Sequence, residues 1–135
     1  MQEFPINWWA VLVASVVKFA IGGIWYSDRA FAPRWRALTG CSETDAKTGI
    51  AKALAVDFLA GLVMAFVLVH AVHYAGAASV GTGAAVGFFN WLGFIGAPTL
   101  AASFYEKKPL QLWAINNGYL LLILLAMAAI LAIWP

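Results

Sequence analysis

The stretch KFAIGGIWYSDRAFAPRWRAL, Lys18 to Leu38, decides how the chain is read. It begins with a lysine inside an apolar run, passes a glycine pair and an aromatic pair, and leaves through a segment carrying three arginines. That order describes a helix leaving a bilayer: Trp25 and Tyr26 at the headgroup layer, Arg29, Arg34 and Arg36 beyond it. The whole chain agrees. Of its 135 residues 64% are hydrophobic and only 10% charged, against roughly half and a quarter in soluble domains, and mean hydropathy is +0.85. Four apolar runs with short connections fill this length, which leaves no room for a soluble domain and predicts one membrane domain over residues 1–135.

The first span is expected over about 6–26, with Pro5 in its first turn. Trp8 and Trp25 lie 17 residues apart, about 25 Å at ~1.5 Å per residue, which matches two interfacial belts. No basic segment precedes this run and no small-residue cleavage pattern follows it, so it is expected to stay in the mature protein. Residues 27–49 form a polar, basic connection in which Phe31, Trp35 and Leu38 recur at helical spacing. This fits either a short segment in the headgroup layer, its regularity limited by Pro33, or a plain loop. Ser42 to Asp45 reads as a capping box, so the second helix is expected to start in water near Ser42, enter the membrane near Ile50 and span 50–74. A third span is expected over 79–104, where Gly83 and Gly87 have the spacing for close helix approach and Gly96 with Pro98 predicts a kink. Pro109 opens the fourth, over 109–134, with Trp113 and Trp134 at the two interfaces.

Arg29, Arg34, Arg36, Lys47, Lys107 and Lys108 all fall in the connections after spans one and three, and the other side carries no Lys or Arg. The positive-inside rule therefore places both termini outside. The fold class expected is an all-α integral membrane bundle of four antiparallel transmembrane helices, N-out and C-out, in a bacterial cytoplasmic membrane. Cys41, the single cysteine, cannot form an internal disulfide and lies in the cytoplasmic connection.

With NWWAVLVA at Asn7 to Ala14, GGIWYS at Gly22 to Ser27, Phe31 and Trp35 after it, and KKPLQLWAINNGYLLL at Lys107 to Leu122, the chain resembles the DUF1761 family of small bacterial membrane proteins. Asp28 stands where that pattern leads one to expect proline. The resemblance implies a four-span integral membrane protein of uncharacterised function and supplies no catalytic residues.

Charges inside a bilayer are expensive, about 2.5 kcal/mol or more each, so an intramembrane Lys or Asp is a site candidate by default. Lys18 lies eight residues before Tyr26, and Asp57 seven residues after Ile50 on the antiparallel neighbour. Both therefore sit roughly 11 Å inside the cytoplasmic surface. Asn116 and Asn117 have a similar depth, Tyr119 is close to them, and Asn90 would form the upper rim of one polar layer. The layer reads as a structural ion pair with amide hydrogen bonds, or as a hydrated cavity where Asp57 takes up a proton, cation or small solute.

His70 and His73, three apart near the outer end of span two, can offer two nitrogens to a metal. No nearby Cys or Asp completes the set, with only Glu3 on that side, so a metal site requires a second subunit to bring two more histidines. No H-E-x-x-H, G-x-S-x-G or facing aspartate pair occurs, and Ser15 and Ser103 lack an obvious base, so no enzymatic activity and no cofactor are expected. The basic residues are explained by topology, and no nucleic-acid partner is expected. The partners anticipated are the lipid bilayer, an unidentified small molecule or ion, and a second copy of the chain: Gly83, Gly87, Gly93 and Gly96 predict a symmetric dimer with span three as its glycine-lined face.

Overall fold

The computed structural model describes residues 3–135, and these contain helices and no strand. In order they are α1 (Trp8–Trp25), α2 (Ala32–Thr39), α3 (Glu43–Lys47), α4 (Ile50–Tyr74), α5 (Val80–Trp91), a π-helical turn (Leu92–Gly96), α6 (Ala97–Tyr105) and α7 (Leu110–Ile133). Four segments are long and apolar enough to cross a membrane: α1, α4, the continuous run Val80–Tyr105, and α7. The chain is thus an all-α four-span bundle, with boundaries close to those expected.

Local chemistry explains where the helices begin. Asn7, not Pro5, caps α1, its Oδ1 accepting from the backbone N–H groups of Trp9 and Ala10 at 3.1 and 3.2 Å; these donors would otherwise be unpaired in a helix first turn. Pro33 opens α2 instead of limiting it, because a proline at the first positions lacks only an N–H the helix does not use. The Ser42–Asp45 capping box is present. The helix it starts does not run on into span two, however: Thr48 is extended and Gly49 takes a left-handed φ of 70°, so α3 ends at Lys47 and α4 starts afresh at Ile50. Glycine adopts that conformation without the Cβ clash other residues suffer.

α7 is the hub. It packs against α1, α4 and α5, whereas α4 and α5 barely meet. Ile123, Met127 and Ala128 of α7 are fully buried in one core with Ala10 and Ala14 of α1 and Ala65 of α4. The opposite faces carry exposed Leu59, Val63, Phe89 and Phe94, as expected of helices whose outer surface meets lipid. Gly83 and Gly87 set the closest approach: a Cβ added at Gly83 would lie 2.7 Å from Ala128 O, and one at Gly87 2.4 Å from Leu124 O. The glycine pair is therefore used inside the chain, against α7, and is not a face offered to a second copy. Gly96 is occupied by the Trp91 ring, 2.9 Å from an added Cβ, and only Gly93 of the four faces open space.

The expected kink at Pro98 takes the form of the π-turn. Ala97 N–H reaches back five residues to Leu92 O, and the widened turn absorbs the backbone donor that Pro98 lacks. At the terminal end of the bundle, Asn7 Nδ2 donates to Pro135 O at 3.3 Å. At the basic end, Arg34 Nη2 donates to Gln111 Oε1 and ties α2 to the start of α7. Asp28, standing where the resemblance leads one to expect a proline, pairs with Arg36 at 2.8 Å across the turn between α1 and α2.

Candidate functional site: a polar cavity beside a buried ion pair

Lys18 and Asp57 meet. Lys18 is 2% exposed, and its Nζ donates to Asp57 Oδ1 at 2.5 Å and to Asp57 O at 3.3 Å. The stem of the lysine reaches this point by crossing Gly61, where an added Cβ would lie 3.2 Å from Lys18 Cδ. One turn earlier on α1, Ser15 Oγ lies 2.8 Å from Val11 O and 3.2 Å from Gly61 O, either of which can take its proton. Gly61 follows Asp57 by one helical turn, so the same face of α4 supplies both the carboxylate and the gap through which the lysine passes. Neither Ser15 nor Gly61 stands out in the sequence as part of this arrangement; four-residue spacing from Asp57 was the only available signal.

The pair is asymmetric. The Asp57 side chain is 46% exposed where Lys18 is 3%, and its exposed part lines a cavity of about 360 Å³ between α1, α4 and α7. The wall runs from Tyr26 and Ile50, at the ends of their helices, inward past Gly22, Gly23, Ala53 and Leu54 to Phe19, Asp57 and Tyr119. Tyr119 is 8% exposed, and its hydroxyl has no hydrogen-bond partner among the described residues. No fully buried side-chain nitrogen or oxygen there lacks a partner, so the unpartnered hydroxyl oxygen must be reached from the cavity. Gly22 provides the room: a Cβ there would fall 2.9 Å from Tyr119 Oη. At the mouth, Tyr26 Oη donates to Asn116 Oδ1 at 2.8 Å, and Trp25 Nε1 to Ile115 O at 3.0 Å. Trp25, expected as an interfacial anchor, thus also links two helices.

The single polar layer expected from depth divides into separate groups. Asn117 points away from Asp57, into a network with α6: its Nδ2 donates to Trp113 O, its backbone O accepts from Trp91 Nε1, and its Oδ1 lies 3.0 Å from Thr99 Oγ1. Trp113 Nε1 in turn donates to Thr99 Oγ1 at 3.0 Å. Trp91 and Thr99, absent from the sequence-based set, are brought there by the π-turn between them. Asn90 is not a rim of the Asp57 site either. Its Nδ2 donates to Val86 O of its own helix, and it lines an apolar groove between α4 and α5 with Val63, Val67 and Phe94.

Both histidine rings pack against Phe4, His70 edge-on at 5.2 Å and His73 face to face. His70 Nδ1 sits 2.7 Å from Phe66 O, and the His73 ring stacks on Phe4 at 3.7 Å. Among the described residues no group of three His, Cys, Asp or Glu could hold a metal ion.

A family model for a protein of unknown function, DUF1761, matches residues 9–132, nearly the whole chain. The chain belongs to the DUF1761 family. The match covers all four spans, so the ion pair, the cavity and the Thr99 network of this DUF1761 protein all lie within the family region. No curated protein matches it, and no solved structure does.

Proposed function

We infer that this DUF1761 protein is a membrane-embedded binding protein, in a bacterial cytoplasmic membrane, that takes a small solute or ion into the Asp57 cavity from the cytoplasmic side. One observation carries the reading: a half-exposed carboxylate and an almost buried, unpartnered tyrosine hydroxyl line the same cavity. Among the described residues every fully buried side-chain nitrogen and oxygen is satisfied within the protein, whereas Tyr119 Oη opens on the cavity and takes its partner only from there, where an outside group can complete it. The cytoplasmic side follows from the positive-inside rule, since the cavity opens at the end that carries α2 and the 106–109 turn.

A second reading, an accessory or structural subunit without a ligand, draws support from the direct Lys18 contact, which with the Ser15–Gly61 contact ties α1 to α4. Cysteine access separates the two. With Cys41→Ser as background, Gly23→Cys places a thiol in the cavity wall, where an added Cβ meets nothing within 4 Å. A membrane-impermeant maleimide is expected to label it in inverted vesicles, and Trp134→Cys only from the opposite face. Absence of labelling at Gly23→Cys would favour the structural subunit, and labelling of Trp134→Cys from the cytoplasmic face would reverse the orientation.

A further inference from the structure

We propose that the ligand of this cavity is a neutral amphiphile whose polar end is a hydroxyl or an amide, attached to a flat or aromatic body; this rests on the binding reading above. Charge sets the first condition. The cavity wall carries one carboxylate, Asp57, and that carboxylate is held by the Lys18 ammonium behind it. Lys52 lines an adjoining open groove on the outer face of α4 that shares Ala53 and Asp57 with this wall, and is not itself in the wall. The charges of the wall and of the lysine behind it therefore cancel before anything binds. An ammonium or carboxylate ligand would add an uncompensated charge among Phe19, Ile50 and Leu54, where apolar surroundings penalise it steeply.

Hydrogen bonding sets the second condition. Asp57 Oδ1 is taken by Lys18, so Oδ2 remains as an acceptor and calls for a donor on the ligand. Tyr119 Oη has no protein partner and offers a proton, so it calls for an acceptor. A hydroxyl or primary amide both donates and accepts, whereas a ketone, ether or quaternary ammonium leaves at least one unmet. Shape sets the third. The Tyr119 ring covers Gly22, but Gly23 leaves helix backbone bare in the wall, flanked on the same helix by the rings of Phe19 and Tyr26, and a side-chain-free patch beside aromatic rings suits a flat group. The volume of about 360 Å³ lies at the lower end of small-molecule sites, roughly 300–1,000 Å³.

Four fluorinated probes of one shape test this: 4-fluorobenzyl alcohol, 4-fluorobenzylammonium, 4-fluorobenzoate and 4-fluorotoluene. Each is titrated by ¹⁹F NMR against the full chain in mild detergent. The same titration of Gly23→Leu, which adds a side chain to the cavity wall where a Cβ meets nothing within 4 Å, measures partition into the micelle. The alcohol is expected to saturate the parent and to bind Gly23→Leu no better than the micelle does. Tyr119→Phe, which keeps the ring and removes only the unpartnered hydroxyl, is expected to weaken the alcohol about tenfold at unchanged melting temperature, the size of one net hydrogen bond. Saturation by the ammonium or the benzoate, abolished by Gly23→Leu, would overturn the neutral class while leaving a binding cavity in place. Tighter binding of the toluene than the alcohol would overturn the hydrogen-bonding assignment. If no probe distinguishes the parent from Gly23→Leu, the binding reading itself falls.

Discussion

Replacing Asp57 by leucine should damage this protein more than replacing Lys18 by methionine, although the two residues form one pair. The difference follows from their burial. In Asp57→Leu the Lys18 ammonium remains 2% exposed and loses its carboxylate, keeping only the 3.3 Å contact to the residue 57 carbonyl. Stranding a buried charge costs about 3–5 kcal/mol, and the surviving contact places the loss near the lower end, about 3 kcal/mol. In Lys18→Met the carboxylate left behind is 46% exposed on a cavity wall and can recruit water, so solvent screening reduces the loss to about 1 kcal/mol. The double variant has no charge to strand, and the methionine stem still crosses Gly61; it should recover most of the larger loss. Reversible unfolding of all four proteins in mixed micelles, followed by tryptophan fluorescence, gives the three differences and the coupling between them. Equal losses in the two single variants, or a double variant as poor as Asp57→Leu, would refute the account of a buried lysine served by a partly solvated carboxylate.

Gly87→Ala should lower stability by about 1–3 kcal/mol, because its Cβ would be driven against the Leu124 carbonyl and the helices must separate; Gly93→Ala, facing open space, should leave the melting temperature unchanged or raise it. Thr99→Val keeps the shape of the side chain but leaves Trp113 Nε1 and Asn117 Oδ1 without the hydroxyl between them, a loss of about 1–2 kcal/mol, visible in the same unfolding assay. Outside the membrane, the Ser42 hydroxyl and backbone N–H hold the Asp45 carboxyl below its usual value of 3.8. A carboxyl depressed in the folded state stabilises above its unfolded value and loses that contribution as pH falls through the folded one, so α3 should fray only in strong acid. In Ser42→Ala the Asp45 titration, followed by NMR, should move back up toward 3.8.

Hydropathy and tryptophan placement located the four spans to within a residue or two, because bilayer thickness constrains length so tightly. Depth arithmetic also placed Lys18 opposite Asp57, since antiparallel neighbours at equal depth need only the right faces to meet. What it could not supply was rotation about each helix axis. Asn116 and Asn117 have nearly the same depth but differ by about 100° in direction; one meets Tyr26 and the other Thr99, and a layer drawn by depth merges them. The glycines of span three announced a close approach, but small-residue spacing alone does not separate a second copy, the neighbour expected, from α7 of the same chain, which Gly83 and Gly87 meet. The break at Gly49 was hidden because a capping box signals a start and says nothing of where the helix stops. Tyr119 was recognised by position, but its missing partner depends on Gly22 of another helix, which no local pattern reveals.

The hub position of α7 has a consequence for how the chain enters the bilayer, since α7 follows the other spans in order of synthesis. When α1 and α4 have emerged they already contain each other's polar partners: Lys18 for Asp57, Ser15 for the Gly61 carbonyl. This hairpin can leave the translocon with its charges neutralised. The third span has no such companion, because it scarcely touches α4, and its polar side chains must meanwhile be content with their own backbone, Asn90 with Val86 O and Thr99 with Ile95 O. Those local bonds let it wait in lipid as a self-contained helix, its glycine face unfilled until α7 arrives and closes the Tyr119 side of the cavity last.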